Sequence, residues 1–184
     1  MSIRTVLIPL ALAPCMAVAA MPPQLSAEYS ASRRIETDQG NFEGSIAAAP
    51  GRERSEMRVG SMSTVMILRA DRKLGWMLMP AQKMYQEMDL SQAAQQAGSV
   101  APEQMDLEVV GEETVSGLTA TKYKFVSKDR DAGGYLWYTA EGIPVKMDVV
   151  SRSGRKSSRM TVTLEDVQIG TQDASLFELP SGFS

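Results

Sequence analysis

Apolar and polar residues alternate with a period of two along most of this chain, the spacing that puts successive side chains on opposite faces of a strand. The densest stretch is Ser63–Leu90, where three short apolar runs (Thr64–Leu68, Leu74–Met79 and Met84–Leu90) lie between the polar turns Ala70–Lys73 and Pro80–Lys83. Runs of this length bounded by turn signals predict strands. In the third run Met84, Gln86, Met88 and Leu90 share one face, and Tyr85, Glu87 and Asp89 the other. The second run has Trp76 and Leu78 on one face and Met77 and Met79 on the opposite one, so both parities are apolar. Such a strand must be covered on both sides, and the pattern does not say which side faces inward.

The same reasoning extends to both ends. Leu25–Thr37, Phe42–Ala49 and Arg52–Val59 read as strands, separated by Asp38–Asn41 and Pro50-Gly51. Arg52–Val59 alternates Arg and Glu, a pattern expected to form cross-strand ion pairs on a wet face. Ser91–Ala97 holds good helix formers, with Ser91 as cap and Gly98 as stop, and predicts a short helix lying on the sheet or closing over it. Strands resume at Met105–Val110 and Val115–Ser127, through Gly111 and Gly117, and continue through Tyr135–Thr139 and Ile143–Val150. A last strand begins near Met160 with a bulge expected near Glu165-Asp166. Asp173–Phe177 predicts one helical turn capped by Asp173. About ten or eleven strands with little helix make a mainly β, single-domain chain.

The first twenty residues carry a different signal. Arg4 precedes the apolar and small-residue run Val6–Ala20, broken by Pro9 and Pro14, as in a cleavable export signal. Cleavage is expected after Ala19 or Ala20, leaving residues 21–184 as one periplasmic domain; a lipid attached at Cys15 is the competing reading. The run is too short for a comfortable membrane span, so no transmembrane segment is expected. Cys15 is the only cysteine and there is no histidine, so the mature chain lacks thiolate nucleophiles, histidine bases and Cys/His zinc sites. The net charge of −3 becomes −4 once Arg4 is removed, a poor match to nucleic acid.

Three clusters could carry chemistry. Met57, Met62, Met66, Met77, Met79, Met84 and Met88 crowd one third of the chain. They fit core filler, an adaptable apolar surface for flexible ligands, or a thioether site for Cu(I). Arg152, Arg155, Lys156 and Arg159 form a basic hairpin tip, read as a solvated tip ahead of a contact with anionic headgroups or a partner. Glu103, Asp106, Glu108, Glu112 and Glu113 read as a soluble acidic surface, since nothing marks them as convergent. No cofactor, metal or catalytic residue is expected.

The succession Asp71-x-Lys73-x-x-Trp76-x-x-x-Pro80-x-x-Lys83-x-Tyr85 resembles the central hairpin of LolA-like proteins, the lipoprotein-localisation-factor superfamily of bacterial periplasmic proteins. Gly111-Glu112-Glu113-Thr114-Val115-x-Gly117 is similar too, as are Leu136-Trp137-Tyr138 with Gly142–Lys146, and Leu176-Phe177-Glu178-x-Pro180-x-Gly182-Phe183. The resemblance implies one strongly curved antiparallel sheet, a half-barrel, with short helices packed in or over its concave face. It further implies binding of acyl chains or sensing of envelope stress, and an arginine tying lid to sheet, for which Arg33, Arg34, Arg58 and Arg69 are candidates. On such a surface Met66, Met77 or Trp76, Met84, Met88, Tyr123, Phe125 and Met147 become the candidate ligand-binding residues. The expected function is non-enzymatic binding of lipid or lipoprotein acyl chains, or of a lipidated partner. The alternative is an envelope protein-interaction or stress-sensing module whose core is filled.

Overall fold

The computed structural model describes residues 21–60, 62–91, 105–154 and 156–184. Eleven strands form one antiparallel sheet: β1 Tyr29–Thr37, β2 Gly40–Ala49, β3 Arg52–Val59, β4 Met62–Arg69, β5 Leu74–Met79 and β6 Met84–Asp89. The second half comprises β7 Met105–Val115, β8 Leu118–Ser127, β9 Ala132–Tyr138, β10 Pro144–Ser153 and β11 Lys156–Ile169. Their order is β6-β5-β4-β3-β2-β1-β11-β10-β9-β8-β7. Two meanders therefore meet where β1 pairs with β11, and the sheet does not close, leaving β6 and β7 as its edges.

The sheet curves strongly. Leu68 on β4 and Tyr138 on β9 are six places apart in the strand order yet line one cleft of about 360 Å³. Six spacings in a flat sheet would span roughly 29 Å, about three times the width of a sphere of that volume. The face carrying Tyr29, Leu68 and Tyr138 is the concave one.

Most expected elements are present, and the departures have local causes. β1 starts at Tyr29 rather than Leu25, because the backbone N–H of Ser26 donates to the Glu141 carbonyl at 2.8 Å in the β9–β10 loop. β7 runs unbroken through Gly111, where the register with β8 shifts between Val109 and Gly111. Gly111 takes φ 155 in that bulge, so the strand absorbs an extra residue instead of ending, and the turn falls at Ser116-Gly117. The expected bulge in β11 is there: the pairing with β1 slips between Ser30 and Ser32, and Asp166 takes φ 51. On β3 the expected ion pairs form only in part: Arg52 reaches Glu28, just ahead of β1, at 3.9 Å. Arg54 pairs along its own strand with Glu56 at 2.7 Å, two residues on and on the same face.

The C-terminal turn Ala174–Phe177 is 3₁₀, and the Asp173 carboxylate accepts from the Ser175 N–H at 2.9 Å. This turn and the tail cover the convex face, not the concave one. Leu179 and Phe183 pack on Val65, Ile67, Trp76 and Leu78. Phe177 is fully buried, with the Arg52 guanidinium 5.2 Å from its ring centre. The helix expected over Ser91–Ala97 falls, beyond Ser91, outside the described residues, as do residues 1–20, Glu103 and Arg155. No described helix is long and apolar enough to cross a membrane.

Candidate functional site

Pairing registers carry the concave face from strand to strand. From β1 outward, Arg33 lies opposite Gly44, Gly44 opposite Met57, and Met57 opposite Thr64. One row along, Ile46 lies opposite Ser55, Ser55 opposite Met66, Met66 opposite Met77, and Met77 opposite Gln86. Met79 faces Met84, and Met88 faces Gly75. Thioethers thus fill the concave surface of β3–β6 as direct or diagonal cross-strand neighbours. None of them is buried or belongs to a buried core cluster, and Met84 is 49% exposed.

The other wing of the same face is filled. Tyr123, Phe125 and Leu136 are buried together, with Met105, Leu107, Tyr138, Met147 and Val149 packed against them. The rings of Tyr123 and Tyr138 meet edge to face at 6.2 Å. Of the candidate residues, Met66, Met77, Met84 and Met88 therefore share the open wing, while Tyr123, Phe125 and Met147 share the packed one. Trp76 stands apart on the convex face. It is 7% exposed, packs in the cluster under the C-terminal tail, and its indole N–H donates to Glu87 at 3.0 Å.

Between the wings lies a polar group that the sequence pattern does not single out. Arg33 and Tyr29 share a face of β1, and Glu53 projects to the same side from β3. Burial pushes both the Glu53 carboxyl and the Tyr29 phenol above their usual ranges. The charge of Arg33 acts against both shifts, and that of Glu53 adds to the one on Tyr29. The available signal was phase. Arg33 is in step with Tyr29 and Ala31, and Glu53 with Ser55 and Met57, so both fall on the concave face despite their charge.

The remaining candidate arginines divide. Arg69 is buried at the convex side, bidentate to Asp71 at 2.9 and 2.8 Å, and bonded to Glu178 and to the Phe177 carbonyl. The hydrogen bond from Arg69 holds the Asp71 carboxyl below its usual range. Arg69 so ties the end of β4 to the C-terminal turn. Arg34 pairs with Glu165 at 3.2 Å across β1 and β11. At the basic tip Arg159 grips Asp148 with two hydrogen bonds of 2.9 and 2.6 Å. Of the acidic residues, Glu113 accepts from Lys122 and from the Trp137 indole, both at 2.8 Å. Among the described residues no cluster of three His, Cys, Asp or Glu side chains could hold a metal ion. What the arrangement offers chemically is a soft, half-exposed apolar surface with a guanidinium at its inner margin.

Similar solved structures share this sheet. An uncharacterized conserved protein of Thermus thermophilus matches with a TM-score of 0.60 at 16% identity, over 85% of this chain and 88% of that one. The MucA/MucB complex of Pseudomonas aeruginosa matches with a TM-score of 0.51 at 18% identity, over 84% of this chain but only 56% of the other. MucB solved alone gives 0.52 at 16% identity, over 85% and 58%. The chain spans a little over half of MucB, and at these identities the likeness establishes the fold alone. Comparison with curated proteins returns no match. A family model does match, over residues 34–141, and because that is more than half of the sequence the chain belongs to the family DUF4412, described as a domain of unknown function.

Proposed function

We propose that this protein is a non-enzymatic binding protein of the bacterial envelope, whose concave methionine wing takes acyl chains, free or on a lipidated partner. One observation carries the reading. The thioethers of Met66, Met77, Met79, Met84 and Met88 lie side by side on the concave face, unburied, while the convex face of the same strands is packed under the C-terminal tail. Core filler would be buried. An apolar surface kept open, built from side chains that repack cheaply, suits ligands that are apolar and flexible. The resemblance to LolA-like proteins supports the same reading, and the signal-like residues 1–20 support export to the periplasm.

Acyl binding of this kind is non-directional, with about 0.8 kcal/mol per buried methylene. Lengthening a fatty acid by two carbons should tighten binding roughly tenfold until the surface is full. Native mass spectrometry of protein isolated from the periplasm should show co-purified lipid. No lipid, together with affinity that ignores chain length, would overturn the reading.

A second reading, a protein-interaction module, is favoured by the fold shared with MucB, which has been solved in complex with MucA. Its surface would be the edge strand β7, where Val109 and Val110 are about half exposed. Binding of a protein partner unaffected by charge on the methionine wing would favour this second reading.

A further inference from the structure

We propose that Arg33 is the headgroup site of the concave face, taking the oxyanion (carboxylate or phosphate) of a single-chain amphiphile whose acyl tail runs along the methionine wing. This rests on the acyl reading above and specifies the ligand: an anionic amphiphile rather than a neutral one.

The case begins with where the arginine sits. β1 is central in the strand order, with Leu164 opposite Arg33 on one side and Gly44 on the other. Gly44 has no side chain to lay over the guanidinium. Nor could it gain one, because a Cβ there would lie 2.1 Å from the Glu56 carbonyl oxygen. The surroundings are apolar: Tyr29, Ala31, Ile46 and Leu164 are all buried in one cluster around this strand.

In that setting the arginine is unsatisfied. Its Nε is buried and has no hydrogen-bond partner. Among the described residues Arg33 forms no side-chain hydrogen bond or ion pair, and the other arginines that form none, Arg58, Arg130 and Arg152, are exposed to solvent. Leaving the buried Nε of a guanidinium unpaired is costly, and an oxyanion presenting two acceptors to the guanidinium fork is the ligand that best relieves it. Glu53 is close enough to be felt but makes no ion pair with Arg33. A cationic headgroup on Glu53 fits less well, because the orphaned buried atom belongs to the arginine.

Placement then accounts for the tail. Three strand spacings, about 14 Å, separate β1 from the strand of Met66. A fatty-acyl chain crosses that distance, so head and tail can be held together on one continuous face.

The test compares dodecanoate, dodecyl phosphate and dodecanol by isothermal titration against the purified protein, with inorganic phosphate alone as a fourth probe. The expected result is that both anionic amphiphiles bind about tenfold tighter than the alcohol. Arg33→Gln should erase that preference by bringing both anionic amphiphiles down to about the affinity of dodecanol for the same variant, and Arg33→Lys should restore part of it. Inorganic phosphate should bind far more weakly than dodecyl phosphate; equal affinity would mean a free-anion site and overturn the proposal. Equal affinity of all three amphiphiles in the wild type would overturn the headgroup site and leave the acyl reading standing. Binding of none would end both. Should Arg33→Gln fail to fold, Glu53→Gln decides: it should strengthen dodecanoate binding severalfold and leave dodecanol alone, and no change would refute the site.

Discussion

The two faces of β5 offer a direct test, because neighbouring residues on one strand should answer a substitution in opposite ways. Leu78 is 1% exposed and packs with Val65, Ile67 and Trp76 under Leu179 and Phe183. Leu78→Ala removes three buried carbons from a closed cluster, a change that costs about 2–5 kcal/mol. At a middle value of about 3 kcal/mol the melting temperature of a chain this long should fall by roughly 6–12 °C. Met77, one residue earlier, faces Met66 and Gln86 on the concave side and is only half-buried. Met77→Glu should cost less than about 1 kcal/mol, since its carboxylate can reach water. It should nevertheless weaken acyl binding tenfold or more by placing a charge on the apolar surface. Thermal unfolding followed by near-ultraviolet circular dichroism gives the first quantity, and titration with dodecanoate the second. If Met77→Glu destabilises the protein as much as Leu78→Ala, the methionine wing is packed core and the binding surface does not exist.

Three further predictions concern other parts of the molecule. Phe177→Ala should cost about 3–5 kcal/mol and free the C-terminal tail, read as early proteolysis within residues 178–184 while β1–β11 stay intact. Gly134 takes φ 155, and a Cβ there would meet the Asp148 carbonyl at 1.9 Å, so Gly134→Ala should destabilise the β9–β10 pair by about 3 kcal/mol in urea unfolding. Acid should separate two classes of carboxyl. Hydrogen bonds from Arg159 and Lys122 hold Asp148 and Glu113 below their usual range, so their contribution is complete above about pH 4 and fades as pH falls through their folded values. Glu53 has the opposite sign. Its folded pKa is raised, so the stability it contributes is present at low pH and lost as pH rises through that value. Glu53→Gln should therefore raise the melting temperature at neutral pH, with the gain vanishing at about pH 4; a gain that persists in acid would refute the assignment.

Period-two alternation was enough to determine that this chain is a run of antiparallel strands, and to sort several of them into faces. Met84 and Met88 fall opposite Tyr85 and Glu87, and Tyr123 and Phe125 opposite Lys122 and Lys124, because in those strands only one parity is apolar or charged. Turn residues and the Asp173 cap were equally legible, being local chemistry. β5 was not. Leu-Gly-Trp-Met-Leu-Met is apolar on both sides, and the choice came from more than a hundred residues away, when Leu179 and Phe183 packed over Trp76 and Leu78 and left Met77 and Met79 to the concave face. Charge misled in the same way at Glu53. It looks wet in its own strand, yet the phase of that strand and the curvature of the sheet place it, half-buried, on the concave face beside Arg33. Curvature is a property of eleven strands together, arising from twist accumulated along the whole sheet, so no segment announces it. Local pattern decides which residues share a face; only the assembled sheet decides which face is covered, and by what.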